Sequence, residues 1–353
     1  MKIRLAYRIL TVLFIGFCSC FLSTTGEVQA GSIEGKVLDS STSAPIVNLT
    51  VGAYHEDDAN KLIKYAETNT TGQFTLNNLP EGTYKIVFFT YNTNYIREWY
   101  KSGDSDAYDF AAADSIPVAS DPVPLENTFL QEGAKITGTV EGSNGVELAG
   151  VTARVFDIDG NWITSAATED GGIYSLTGLN NGEYKIQFRA GDTGYASEWY
   201  NDKYTIDKAD TVTISSLTDE VRNIELDTGT SISGTVRDSD GVGIVGALVK
   251  VYENNSVNSS GEFVDSPLEF GTTGEGGIYT VTGLPEGHSF KVRFFEREGD
   301  GSGAGLTEWY DDTSSFASAT TVNAGDDTGV DAVLESRFNW LIFTPAIIRR
   351  PIP

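Results

Sequence analysis

The sequence predicts an all-β protein made of three tandem antiparallel β-sandwiches. Three observations predict it: a pattern that occurs three times, apolar residues that alternate at period two, and turn residues between the alternating runs. The recurring pattern has three blocks. Ser32-Ile33-Glu34-Gly35-Lys36-Val37 returns as Lys135-Ile136-Thr137-Gly138-Thr139-Val140 and as Ser231-Ile232-Ser233-Gly234-Thr235-Val236. The second block runs from Gly72-Gln73-Phe74 to Tyr84-Lys85-Ile86. Its counterparts run from Gly172-Ile173-Tyr174 to Tyr184-Lys185-Ile186 and from Gly277-Ile278-Tyr279 to Phe290-Lys291-Val292. The third block is Glu98-Trp99-Tyr100, repeated as Glu198-Trp199-Tyr200 and Glu308-Trp309-Tyr310. The order never changes.

Alternation identifies the strands. Val47, Leu49, Val51 and Ala53 fall on one face, with Asn48, Thr50 and Gly52 opposite. Val151, Ala153 and Val155 repeat this, as do Ala247, Val249 and Val251, and Tyr84, Ile86 and Phe88 form a further face matched by Tyr184, Ile186 and Phe188. One apolar face per strand is the pattern of sheets packed face to face. Beyond the first thirty residues, no stretch keeps apolar residues at helical spacing for three turns.

Turn chemistry separates these runs. Leu79-Pro80-Glu81-Gly82, Asn180-Asn181-Gly182 and Pro285-Glu286-Gly287 supply residues suited to tight turns, and Asp157-Ile158-Asp159-Gly160 and Asp238-Ser239-Asp240-Gly241 read as hairpins. The third copy carries two insertions, 254–260 and 299–305, expected to be surface loops of low order. The first copy carries an acidic, proline-bearing stretch at 115–124. The joints Leu130-Gln131-Glu132-Gly133 and Leu226-Asp227-Thr228-Gly229 are short enough to predict a semi-rigid array.

Ahead of the first copy, Lys2, Arg4 and Arg8 precede a mostly apolar run, 9–22, and Val28-Gln29-Ala30 offers a small-residue cleavage site. That is the layout of a secretory signal peptide. The chain thus divides into a leader at 1–30, repeats at 31–133, 134–229 and 230–336, and an apolar, basic tail at 337–353. The tail's apolar run is too short to span a bilayer. Cys18 and Cys20 are the two cysteines of the chain, so the exported part has no disulfide and must rely on its apolar cores. The net charge of −26 argues against nucleic acid or an anionic membrane surface as partner.

The blocks Ile-x-Gly-x-Val, Gly-x-Tyr/Phe-x-Leu and Leu-Pro-x-Gly-x-Tyr-x-Ile resemble the carboxypeptidase regulatory-like domain, within the transthyretin-like and collagen-adhesin B-type prealbumin-like sandwiches. The resemblance spans 31–336 and implies prealbumin-like (Ig-like) modules of the kind found in bacterial surface proteins and beside hydrolases. Some related surface modules join lysine to asparagine. Here Lys36 with Asn127, and Lys135 with Asn223, hold comparable places, whereas the third copy has Ser231 and Asp331.

Catalytic chemistry finds little support. Zinc hydrolysis needs clustered histidine and carboxylate ligands, and the chain has two histidines, His55 and His288, at non-equivalent places and read as exposed loop residues. No Gly-x-Ser-x-Gly nucleophile turn occurs. The Asp-x-Asp-Gly turns lack the glutamate that completes a calcium loop. No metal or cofactor is expected.

The recurring Glu-Trp-Tyr has two readings. Trp99, Trp199 and Trp309 fill sandwich ends beneath Glu98, Tyr100, Glu198, Tyr200, Glu308 and Tyr310; or these nine residues form carbohydrate-binding platforms. The expected protein is a non-enzymatic bacterial spacer or adhesin at the cell surface, with a polysaccharide or a surface protein as ligand.

Overall fold

A computed structural model describes residues 30–91, 93–103, 106–296, 307–325 and 329–334. Residues 1–29 of the expected signal peptide, the 299–305 insertion and the tail lie outside them. In the first repeat the strands are β1 (Gly31–Asp39), β2 (Thr50–His55), β3 (Leu62–Glu67), β4 (Gln73–Leu79), β5 (Gly82–Phe89), β6 (Glu98–Trp99), β7 (Ile116–Val118), β8 (Pro122–Pro124) and β9 (Thr128–Leu130). One sheet has the order β4-β1-β8, with β9 also on β1; the other runs β3-β2-β5-β6, with β7 also on β5. The second repeat copies both sheets. The third keeps three strands of the first sheet and all five of the second.

Each repeat has its own core. In the first, Ile33, Val37, Leu49, Val51, Phe74, Leu76, Ile86 and Phe88 are buried between the sheets. Ile136, Val140, Val151, Val155, Leu176 and Phe188 do this in the second, and Ile232, Val236, Val249, Val251 and Phe294 in the third. At about 25 cal/mol per Å² of apolar surface removed from water, such clusters drive folding. Val47, expected beside Leu49, is instead 42% exposed. Asn48 takes a left-handed φ of 58°, which breaks the alternation just before β2 begins.

The pairings that complete the first sheet depart from the antiparallel rule, since β8 and β9 both run parallel to β1. β9 runs parallel to β1, with Val37 opposite Thr128 and Asp39 opposite Leu130. The equivalent closing strands Ile224–Leu226 and Ala332–Leu334 are also parallel to theirs. Parallel closure requires the chain to cross from one sheet to the other before ending, and period two carries no direction. The closing segment explains the glycine of Ile-x-Gly-x-Val. A Cβ on Gly138 would lie 1.9 Å from the Arg222 carbonyl oxygen, and one on Gly234 would lie 2.2 Å from that of Val330. In the first repeat the Phe74 ring takes that space instead, at 2.7 Å.

A buried threonine ties each corner. The Thr68 hydroxyl donates to the Ile46 carbonyl at 2.7 Å and accepts from the Leu49 N–H at 2.9 Å. Thr168 bridges Leu148 and Val151 in the same way, and Thr273 bridges Ile244 and Ala247. Asp157 and Asp238 close their hairpins by accepting backbone N–H groups two and four residues on.

The joints are hydrogen-bonded into the repeat before them. The Gln131 carbonyl accepts from Ile96, and the Gly133 N–H donates to Asn94; Asp227 and Gly229 do the same with Ala196 and Gly194. Contacts also cross each joint. Thr177 donates to the Thr93 carbonyl, and Tyr91 stacks on Trp162 at 5.6 Å. Across the second joint, Ser197 N–H donates to the Gly283 carbonyl, Gln187 to the Pro267 carbonyl, and Arg189 pairs with the buried Glu269.

Replacing Gly138 with alanine should cost about 1–3 kcal/mol by overpacking the closing strand. Urea denaturation of the full chain would register it as a lower midpoint for the second repeat's transition.

Candidate functional site

Glu-Trp-Tyr is a two-residue edge strand followed by a turn. β6 pairs with β5, placing Glu98 opposite Phe88 and Trp99 opposite Val87, and Glu198 and Trp199 sit likewise opposite Phe188 and Gln187. In the third repeat the strand is Thr307–Trp309, with Glu308 opposite Phe294. Successive residues therefore point to opposite faces. Trp points to the outer face of the sheet, while Glu and Tyr point to the core side. The Tyr N–H of each copy donates back across the strand, to the carbonyls of Ile86, Ile186 and Val292.

The chain then folds over the outer face and covers the indole. Trp99 packs with Val87, Ala107 and Ala113; Trp199 with Phe156 and Ala209; Trp309 with Tyr252, Phe316 and Ala319. Their exposures are 7%, 0% and 3%. Tyr100 is also buried, and Tyr200 and Tyr310 are half-buried against their own cores. An indole platform for a sugar ring needs an open face, and all three indole faces are covered by protein. The tryptophans are packed, but outside the sandwich cores: each lies under the segment that follows it, with the glutamate and tyrosine on the opposite face of the strand rather than over the indole.

A lysine not singled out by the motif secures this cover. Lys85, Lys185 and Lys291, the lysines of the second block, point to the outer face. Their ammonium groups donate to the carbonyls of Phe110 at 2.7 Å, Ile206 at 2.7 Å and Phe316 at 2.6 Å. Lys85 and Lys291 also lie 4.6 Å from the ring centroids of Phe110 and Phe316. The signal was visible as a lysine at one place in all three copies, but nothing in one sequence says what it bonds. In the third repeat part of the 254–260 insertion joins the cover. Val257, with Phe263 just beyond it, packs on Trp309, so this insertion is a folded lid rather than the loose loop expected.

The glutamates are unusual. Glu98 is buried at the first joint with its Oε1 unpaired, and burial and then nearby Asp106 push it up to about 8, against a weaker pull from the Gln131 N–H. Glu198, buried at the second joint, is also pushed up to about 8, by burial first and then by Asp202 and Asp227, while the Asp202 N–H and Lys203 oppose. Glu308 is half-buried.

The histidines are not free loop residues. His55 ends β2 beside the Tyr84 ring, and His288 Nδ1 lies 2.6 Å from Glu253 Oε1 with its ring 4.3 Å from that of Tyr204. Among the described residues, no three potential metal-ligating side chains converge. The lysine–asparagine pairs also resolve. Asn223 accepts from the Thr139 N–H, and Asp331 from that of Thr235, so Thr139 rather than Lys135 faces Asn223. Lys36 and Asn127 line an open cleft of about 530 Å³ together with Glu34 and Glu67.

These sandwiches agree with the sequence comparison: residues 32–96 and 135–218 match the family model described as the carboxypeptidase regulatory-like domain. The third repeat lies outside both matches. Serine-aspartate repeat-containing protein D of Staphylococcus aureus (strain Newman) is 24% identical over 314 residues, covering 81% of this chain and 22% of its own length. A fibrinogen-binding protein of Staphylococcus epidermidis is 26% identical over 158 residues, 41% of this chain and 14% of the relative. The chain thus spans about a fifth or less of these relatives. Among solved structures, the minor pilin GBS52 of Streptococcus agalactiae aligns with 56% of this chain and 96% of its own, at 15% identity and a TM-score of 0.28.

Trp199→Ala should destabilise the second repeat by about 3–5 kcal/mol, the range for a buried large aromatic, visible as a lower thermal midpoint. Lys185→Met keeps the stem but removes the donor to Ile206; faster amide exchange across 200–210, with the core strands unchanged, is the expected result.

Proposed function

We propose that the chain is an exported, non-enzymatic bacterial surface protein, a semi-rigid array of sandwich modules that serves as spacer or adhesin. The observation that carries this reading is the construction of the joints. Each joint bonds into the repeat before it, and side chains of consecutive repeats touch across it, as Arg189 and Glu269 do. Holding modules end to end sets a reach and an orientation, the properties a stalk or adhesive arm requires. Exported location follows from the leader read in the sequence. A protein ligand on a host surface is favoured over a polysaccharide, because the repeated tryptophans are covered. One relative's printed name makes fibrinogen the first ligand to try.

Small-angle scattering of the mature chain at pH 6.5 should give an elongated, narrow particle. A profile typical of freely jointed beads would refute the semi-rigid array. Glu269→Ala leaves the half-buried Arg189 without its carboxylate, so it should broaden the spread of conformations at the second joint. Plate binding to immobilised fibrinogen, compared with a polysaccharide array, then tests the ligand class.

A further inference from the structure

The buried glutamates of the repeated motif have no part in packing the tryptophans, yet both sit where one repeat meets the next. Glu98 faces Asp106 and Tyr108 from the cover of its own repeat and the Gln131 N–H from the joint. Tyr108 in turn reaches Asn180 of the second repeat. Glu198 faces Asp202, Lys203 and Tyr204 from its cover and Asp227 from the joint. Tyr204 packs on His288 of the third repeat, which pairs with Glu253. Each joint therefore encloses a carboxyl group that is at least 97% buried and has acidic neighbours. At the first joint, among the described residues, no cation faces it, and one of its oxygens has no hydrogen-bond partner.

We propose that the two joints are proton-held latches, in which Glu98 and Glu198 keep consecutive repeats docked while protonated and loosen them on ionising. A neutral carboxyl can stay in an apolar enclosure, whereas a carboxylate there lacks water and faces like charge. Loosening the joint readmits water and relieves both costs. A glutamate in an unfolded chain ionises near 4.5, and the docked ones only near 8. Docking is therefore at full strength below pH 4.5 and weakens as pH rises, the loss becoming complete above about 8. The latch rests on the modules being joined as a semi-rigid array, but not on what the chain binds.

The test exploits the absence of cysteine beyond residue 20. Spin labels at Ser120→Cys and Ser175→Cys, both exposed, report the first joint of the full mature chain by pulsed dipolar spectroscopy. A narrow distance distribution at pH 6 should broaden as the pH is raised to 9, and Glu98→Gln, a permanently uncharged isostere, should stay narrow throughout. A distribution narrow at both pH values in the unmodified joint would overturn the latch and leave the array intact. A broad distribution at pH 6 would overturn both. Equal broadening in Glu98→Gln would assign the change to another group, and a Glu98 carboxyl carbon titrating near 4.5 by NMR would also end the proposal.

Discussion

A sandwich buries one face of each sheet against the other and leaves two faces for water or for additional chain. In this protein the outer face of the β3-β2-β5-β6 sheet is covered, and the bond that makes the cover possible is a lysine ammonium donating to a carbonyl of the covering segment. Lys85, Lys185 and Lys291 each do this, at 2.6 to 2.7 Å. An ammonium has three donors and no acceptor, so a turn that presents carbonyls inward is a natural mate for it. The tryptophan supplies the apolar area and the lysine fixes where the cover lies. Burial works against the charged state of Lys291, so the carbonyls must offset part of its lost hydration. Once the cover is seated, the chain is delivered to β7 and then to the closing strand, and the joint takes its position from there.

Much of this was legible in the residues. Three copies of one pattern fixed the module number expected, and period two identified which residues face each core: Leu49, Val51, Ala53, Ile86 and Phe88 are all buried. Turn glycines and asparagines marked the hairpins. Other features were not legible, for physical reasons. Alternation gives a face but no direction, so the parallel pairing of β1 with β9 was hidden. A single left-handed residue, Asn48, ended an alternating run that looked one residue pair longer. Thr68, Thr168 and Thr273 are ordinary letters in the sequence, and their corner bonds join residues 22, 20 and 29 positions apart.

The candidate site was found but its chemistry was not. Glu-Trp-Tyr stood out because it recurs, and recurrence suits packing and binding equally. What distinguishes them is the segment after the motif, whose sequence differs between copies: the carbonyl that the lysine bonds belongs to a phenylalanine in the first and third, Phe110 and Phe316, and to Ile206 in the second. A pattern kept in three copies marked the covered residues, and the variable ones did the covering. The two joints differ in the same way. The first is held by ring stacking and a threonine bond, the second by a buried ion pair and the Gln187 amide.

The parallel pairing of first and last strands has a mechanical consequence. A pull along the array enters each module at the start of β1 and leaves at the end of β9, and these strands lie side by side pointing the same way. The load therefore falls along the strands and is shared by the hydrogen bonds between them and by the bonds of β1 to β4. Peeling a hairpin from its end breaks such bonds one at a time, whereas sliding neighbours past each other must break them together. The order in which the strands are threaded thus makes each module a shear-loaded link.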